Sequence, residues 1–143
     1  WQRTFLHPSL LAFDAPSREE CCAERGRSNL PQQALVLMND PTYVEAAQAF
    51  AARILEQGGS NTKSRLRWAW RQTLCRVPTD QELAVVRRLL KKHRAEFSAE
   101  PEAARTFLKF ADPDTLDTRP VEELAAWTMI ANTLLNLDET LVK

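Results

Sequence analysis

Residues 60–97 read SNTKSRLRWAWRQTLCRVPTDQELAVVRRLLKKHRAEF, and this stretch decides the fold class. Leu66, Ala69, Trp70 and Leu74 recur at helical spacing and predict one buried helix face. Val77-Pro78 breaks that helix, since the residue before a proline is pushed away from helical geometry. Thr79-x-x-Glu82 is a capping box. The threonine oxygen receives the third amide, and the glutamate reaches back to the cap amide. It opens a second helix with Leu83, Val86, Leu90 and Phe97 on its apolar side.

Helix punctuation continues in both directions. Upstream, Pro31 suits a first helical turn and QALVLMN follows it as a short apolar helix. Asp40-Pro41 repeats the device, Asp as cap and Pro in the first turn. That helix runs to about Gln57 with Val44, Ala47, Ala51, Ile54 and Leu55 on one face, and Gly58-Gly59 stop it. Ser17-x-x-Glu20 is another capping box, for a short helix ending near Gly26, whereas residues 1–16 read as irregular or extended around His7-Pro8 and Ala15-Pro16. Downstream, Pro101 starts a helix containing Phe107 and Leu108, and Asp112 to Pro120 is a loop by composition. A last helix, Pro120 to about Leu137, buries Leu124, Trp127, Ala131, Leu134 and Leu135. No run of β-branched residues alternates with period two, so no sheet is expected. The expected architecture is all-α: a compact bundle of about five to seven helices, one domain over residues 1–143, with an irregular N-terminal segment.

Composition agrees with a globular chain of 143 residues, 44% hydrophobic and 27% charged. No apolar run reaches the length of a membrane span, and no signal-peptide pattern opens the chain. Because the first residue is Trp1, the chain is expected to be a fragment of a larger protein. Cys21, Cys22 and Cys75 do not make a disulfide framework, and buried thiols are the expectation. With no CxxC, no CxxCH and two histidines, neither a metal nor another cofactor is expected.

Charge is zero overall but uneven. Residues 60–97 carry ten basic residues against three acidic, residues 98–143 four against nine, and residues 1–59 five against seven. Arg65, Arg67, Arg71, Arg76, Arg87, Arg88, Lys91, Lys92 and Arg94 could neutralise phosphates if they shared a surface. The acidic last third offers these cations partners within the chain, so nucleic-acid binding is disfavoured. The polar set Asp14, Arg18, Glu19, Arg25, Arg27, Asn29, Asn39 and Asp40 is the leading candidate site, and Asn136, Asp138 and Glu139 could join it. Carboxylates beside guanidinium groups can act as a general-acid pair or an anion cradle. Without a nucleophile–base pair or a glycine-rich phosphate loop, a network tying loops to helix ends is the better reading. Trp68 and Trp70 lie on opposite sides of one helix. One belongs to the core, and Trp68 is a candidate aromatic contact for sugar or protein. His93 reads as a rim histidine packed against the Leu83–Phe97 face, and His7 lies in a loop.

Three stretches carry a resemblance: WQRTFLHPSLLAFDAPSREEC (1–21), SNLPQQALVLMNDPTYVEAA (28–47) and AAWTMIANTLLNLDET (125–140). Together they resemble the C-terminal part of the planctomycete-specific domain of unknown function, found in large multidomain bacterial proteins. The resemblance implies export to a periplasmic or secreted location and, in some members, a cytochrome-c-like domain upstream. It carries over no catalytic residue. The chain departs from the usual pattern at Leu30, which cannot cap a helix as the family's threonine does, and at Ala23-Glu24-Arg25, where a basic run is weakened. The expected function is a non-catalytic interaction or structural module packing on other domains of its parent. Its working surface would be His7–Pro41 with Trp68, marked by an exposed apolar patch. The alternative is part of an enzyme or a binding cleft for carbohydrate or another anionic polymer, with Asp14, Arg18, Glu19 and Arg27 at its wall.

Overall fold

A computed structural model describes residues 8–15, 31–109, 111 and 119–141, all of them helix, turn or irregular chain, with no strand among them. The chain divides into two compact units, Trp1–Asp40 and Pro41–Lys143.

The first unit holds α1 (Pro8–Ala12) packed against α2 (Pro31–Asn39). Helix α1 falls inside the segment expected to be irregular. Pro8 bars helical geometry only for the residue before it, while its own missing N–H is no loss in a first turn. The chain then turns through Asp14 at φ 55°, a left-handed conformation that aspartate tolerates better than most residues. Ala15 and Leu37 are buried, whereas Leu11, Leu35 and Met38 stand out from the unit. The helix expected over Ser17–Gly26 lies outside the described residues.

The second unit contains α3 (Pro41–Gln57), α4 (Thr62–Leu74), α5 (Asp80–Ala99), α6 (Pro101–Phe107), α7 (Val121–Leu135) and α8 (Asp138–Leu141). Proline opens α3 and α6, as their sequences predict. Asn61 caps α4 by accepting from the Ser64 amide at 2.8 Å. The Thr79–Glu82 capping box forms in full: the Thr79 hydroxyl accepts the Glu82 amide at 3.3 Å, and Glu82 Oε2 accepts the Thr79 amide at 2.7 Å. Gly58 closes α3 where its Cα hydrogens face the Ile54 carbonyl and the Arg65 backbone, and a side chain there would collide with both.

Helix α7 is the centre of this unit, in contact with α3, α4, α5, α6 and α8. The sequence predicts burial of one face. The structure also buries Ala125, Ala126, Thr128, Ile130 and Asn132, while Leu135 stays partly covered. The reason is visible in composition: residues 124–137 contain no charge, and a helix apolar all round belongs inside. Buried Gln48 on α3 donates from Nε2 to the Phe107 carbonyl at 2.9 Å, tying α3 to the end of α6.

Helix α4 stops three residues before the Val77-Pro78 break expected to end it. Cys75 takes φ 56° and its amide donates to the Arg71 carbonyl, so a left-handed cap terminates the helix. Cys75 is exposed, which corrects the expectation of a buried thiol; the cap turns its side chain off the helix's buried face. Cys21 and Cys22 lie outside the described residues.

Candidate functional site

A concave feature of the second unit lies where α4 ends and α5, α7 and α8 meet. It is a cleft of about 480 Å³. Trp70 forms its floor, Val85, Val86 and Leu89 one wall, and Leu134 and Leu137 the other. Two walls follow from helical spacing. Residues 82, 85, 86 and 89 share one side of α5, while Leu134 comes from the last turn of α7 and Leu137 from the turn that joins α7 to α8. Trp70 is buried, yet Val85 remains 58% exposed, so the cleft opens to solvent along the α5 side.

A charged clamp closes one end. The left-handed turn at Cys75 brings Arg76 back over the Trp70 ring, Cζ lying 5.5 Å from the ring centroid. From there Arg76 Nε and Nη2 donate to the two oxygens of Glu139 at 2.8 and 2.7 Å. Its Nη1 and Nη2 donate to Glu82 at 3.0 and 2.7 Å, and Nη1 also reaches the Val77 carbonyl at 3.5 Å. Hydrogen bonds from Arg76 and from the Thr79 amide hold the Glu82 carboxyl down at about 2. The same bonds, Glu139's first, raise the already high Arg76 pKa further. Asp138 completes the lip. The Arg76 guanidinium thus joins two carboxylates, Glu82 and Glu139, across the end of the cleft.

A second charged cluster staples α5 to α7. Arg94 Nε donates to Glu123 Oε2 at 2.8 Å, and its Nη2 to Oε1. Oε1 also accepts the indole N–H of buried Trp127 at 2.8 Å. Burial pushes the Glu123 carboxyl up, but the bonds from Arg94 and Trp127 outweigh it and the net shift is downward.

Of the polar set singled out in the sequence, Asp14, Asn39 and Asp40 lie among the described residues. Arg18, Glu19, Arg25, Arg27 and Asn29 do not. Asn39 donates from Nδ2 to the Leu35 carbonyl at 2.9 Å, a helix-end role. Asp14 sits in the turn after α1, and Asp40 joins α2 to α3. The possible recruits from the chain's end have local or clamp roles: Asn136 donates to Asn132, and Glu139 pairs with Arg76.

The basic residues of 60–97 are partly consumed inside the fold, as the acidic last third suggested. Arg76 and Arg94 meet Glu139 and Glu123, Lys92 pairs with Glu96 at 3.6 Å, and Arg65 caps α3 through the Gly59 and Leu55 carbonyls. His93 occupies the rim position expected of it, with Nδ1 2.8 Å from Glu96 and its ring beside Phe97. Trp70 is the core member of the tryptophan pair. Trp68 is half-buried, tilted against Phe50 at 6.2 Å with Arg53 over its ring at 5.9 Å.

Sequence reasoning missed the cleft. Its signal was present in Val85 and Leu89, apolar residues beside the Leu83–Val86–Leu90 stripe that widen it beyond what one neighbouring helix can cover. Among the described residues no group of His, Cys, Asp and Glu is arranged to hold a metal, and no helix is long and apolar enough to cross a membrane. What the arrangement can do is remove an apolar group from water.

Comparison with curated proteins and with solved structures returns no match. A family profile does match, over residues 1–90, and so includes the α4–α5 side of the cleft from Trp70 to Leu89. On that match the chain belongs to the PSD1 family, proteins of unknown function (DUF1553).

Proposed function

We propose that this chain is a non-catalytic helical interaction module that packs on other domains of a larger, exported bacterial protein. The observation that carries the reading is the solvent-open apolar cleft of the second unit, with Val85 58% exposed on its wall. Apolar surface of this kind is stabilised by a covering partner, because removing it from water is favourable in proportion to its area. Leu35 and Met38, three residues apart on one side of α2, and Leu11 on α1 add exposed apolar side chains within the His7–Pro41 surface. Export and a multidomain parent rest on the resemblance of the three stretches quoted above.

Hydrogen–deuterium exchange tests the reading by comparing this chain alone with the same residues inside the parent protein. Amides of 82–89 and 133–139 should exchange more slowly in the parent. Equal exchange in both settings would refute packing at the cleft.

A further inference from the structure

The open wall of the cleft is bordered by cations. Residues 83–95 of α5 hold five Lys and Arg and no Asp or Glu. Arg94 is taken up by Glu123, and Lys92 shares Glu96 with His93. Arg87, Arg88 and Lys91 are exposed and have no carboxylate partner among the described residues. Side chains three and four residues apart are neighbours on a helix, so Arg87–Lys91, Arg88–Lys91 and Arg88–Lys92 are adjacent like charges. An anionic partner relieves their repulsion.

Helical spacing sets part of this charge beside the apolar wall. Arg88 lies one turn beyond Val85, and Lys92 one turn beyond both Arg88 and Leu89. Val85 is 58% exposed and the Lys92 side chain 67%, so this side of α5 offers an apolar group and cations within a turn of one another. The Arg76 clamp lies apart from them: Glu82 precedes Arg88 by about 9 Å along the helix axis. A duplex nucleic acid or an acidic polysaccharide can meet the cations but brings no apolar side chain to Val85 and Leu89. A polypeptide brings both. We propose that the partner is an acidic amphipathic polypeptide segment lying along α5. An apolar side chain of that segment packs against Val85 and Leu89, and its carboxylates meet Arg88 and Lys92. Arg87 and Lys91 extend the positive field that draws it in. This inference rests on the interaction-module reading and adds the partner's chemistry to it.

The test is an NMR titration of the 143-residue chain with a short amphipathic peptide built only of leucine and glutamate. Its leucine–lysine counterpart, heparin and a duplex DNA are titrated beside it. The leucine–glutamate peptide should shift amides of 85–92 and bind about tenfold more tightly than the leucine–lysine peptide. Arg88→Glu is an exposed change that places a glutamate four residues before Lys92, a favourable order on a helix, so the fold is kept. It should weaken leucine–glutamate binding about tenfold. Val85→Ser should weaken it about threefold and leave any binding of heparin or DNA unchanged. Leucine–lysine binding as tight as leucine–glutamate, shifts confined to other surfaces, or indifference to Arg88→Glu each overturns the proposal. Indifference to Val85→Ser with heparin or DNA at the same amides marks a bare polyanion surface and overturns it too. Slowed exchange in the parent combined with any of these results removes the acidic partner alone, whereas unslowed exchange removes the reading beneath it.

Discussion

Glu123→Gln is the substitution that most directly probes how the second unit is held together. Glu123 receives Arg94 through two hydrogen bonds and the Trp127 indole N–H through a third, at the point where α5 meets the central helix. Glutamine has nearly the same shape and can still accept from Trp127, but it removes the charge and one acceptor. A hydrogen bond to a charged group contributes about 1.5–3 kcal/mol against about 1 kcal/mol for a neutral one. The Arg94 side chain is 38% exposed, so solvent screening reduces the difference, and a loss of about 1–2 kcal/mol is expected at neutral pH. For a chain of this size that lowers Tm by about 3–6 °C. The pH dependence supplies the stricter check. The folded-state pKa of Glu123 lies below its ordinary 4.5. Its contribution is therefore present above that ordinary value and is lost as pH falls through the folded value. Urea unfolding followed by circular dichroism should show the wild-type and variant curves separated at pH 7 and drawing together as the pH falls below 4.5. A gap below about 0.3 kcal/mol at pH 7, or one that persists unchanged in acid, would refute the assignment of this network as a charge-dependent staple.

Thr79→Ala removes the hydroxyl half of the α5 capping box and should lower the unfolding free energy by about 1 kcal/mol, read as a shift in urea midpoint, while Thr79→Ser restores most of it. Gly58→Ala places a methyl 2.5 Å from the Ile54 carbonyl oxygen and 2.9 Å from Arg65 Cα, so a loss of about 1–3 kcal/mol is expected. Leu134 is fully buried at the α7 end of the core, and Leu134→Ala should destabilise by about 2–5 kcal/mol in the same assay. Val85→Ser, on the open wall of the cleft, should change stability by no more than about 0.5 kcal/mol. Comparable losses at Val85 and Leu134 would contradict the burial that separates them.

Much of the architecture is legible because its determinants are local. The Thr79–Glu82 box, the prolines opening α3 and α6, and Gly58 all act across three or four residues, which is the reach of a helical turn. The same locality explains why Leu66, Ala69, Trp70 and Leu74 were placed on the buried face of α4 from spacing alone. Where a non-local choice intervened, spacing was insufficient. Cys75 ends α4 in a left-handed turn that no glycine or proline announces at that position. The burial of α7 beyond a single face depends on having neighbours on several sides, although its charge-free run from 124 to 137 is a clue.

The candidate site divides the same way. Sequence alone determined that this is an all-α chain, where its major helices begin, and that its basic middle and acidic end can pair. It could not determine which charges meet. Arg76 and Glu139 are 63 residues apart, and Arg94 and Glu123 are 29 apart. Only the packing of α4, α5, α7 and α8 puts each pair within hydrogen-bond reach. The cleft is likewise a property of the spaces between helices, since Val85 and Leu134 acquire a common role only when α5 and α7 lie side by side. Local hydrogen bonding writes helices into the sequence one turn at a time, whereas a cleft and its charge are set by the tertiary arrangement that brings distant turns together.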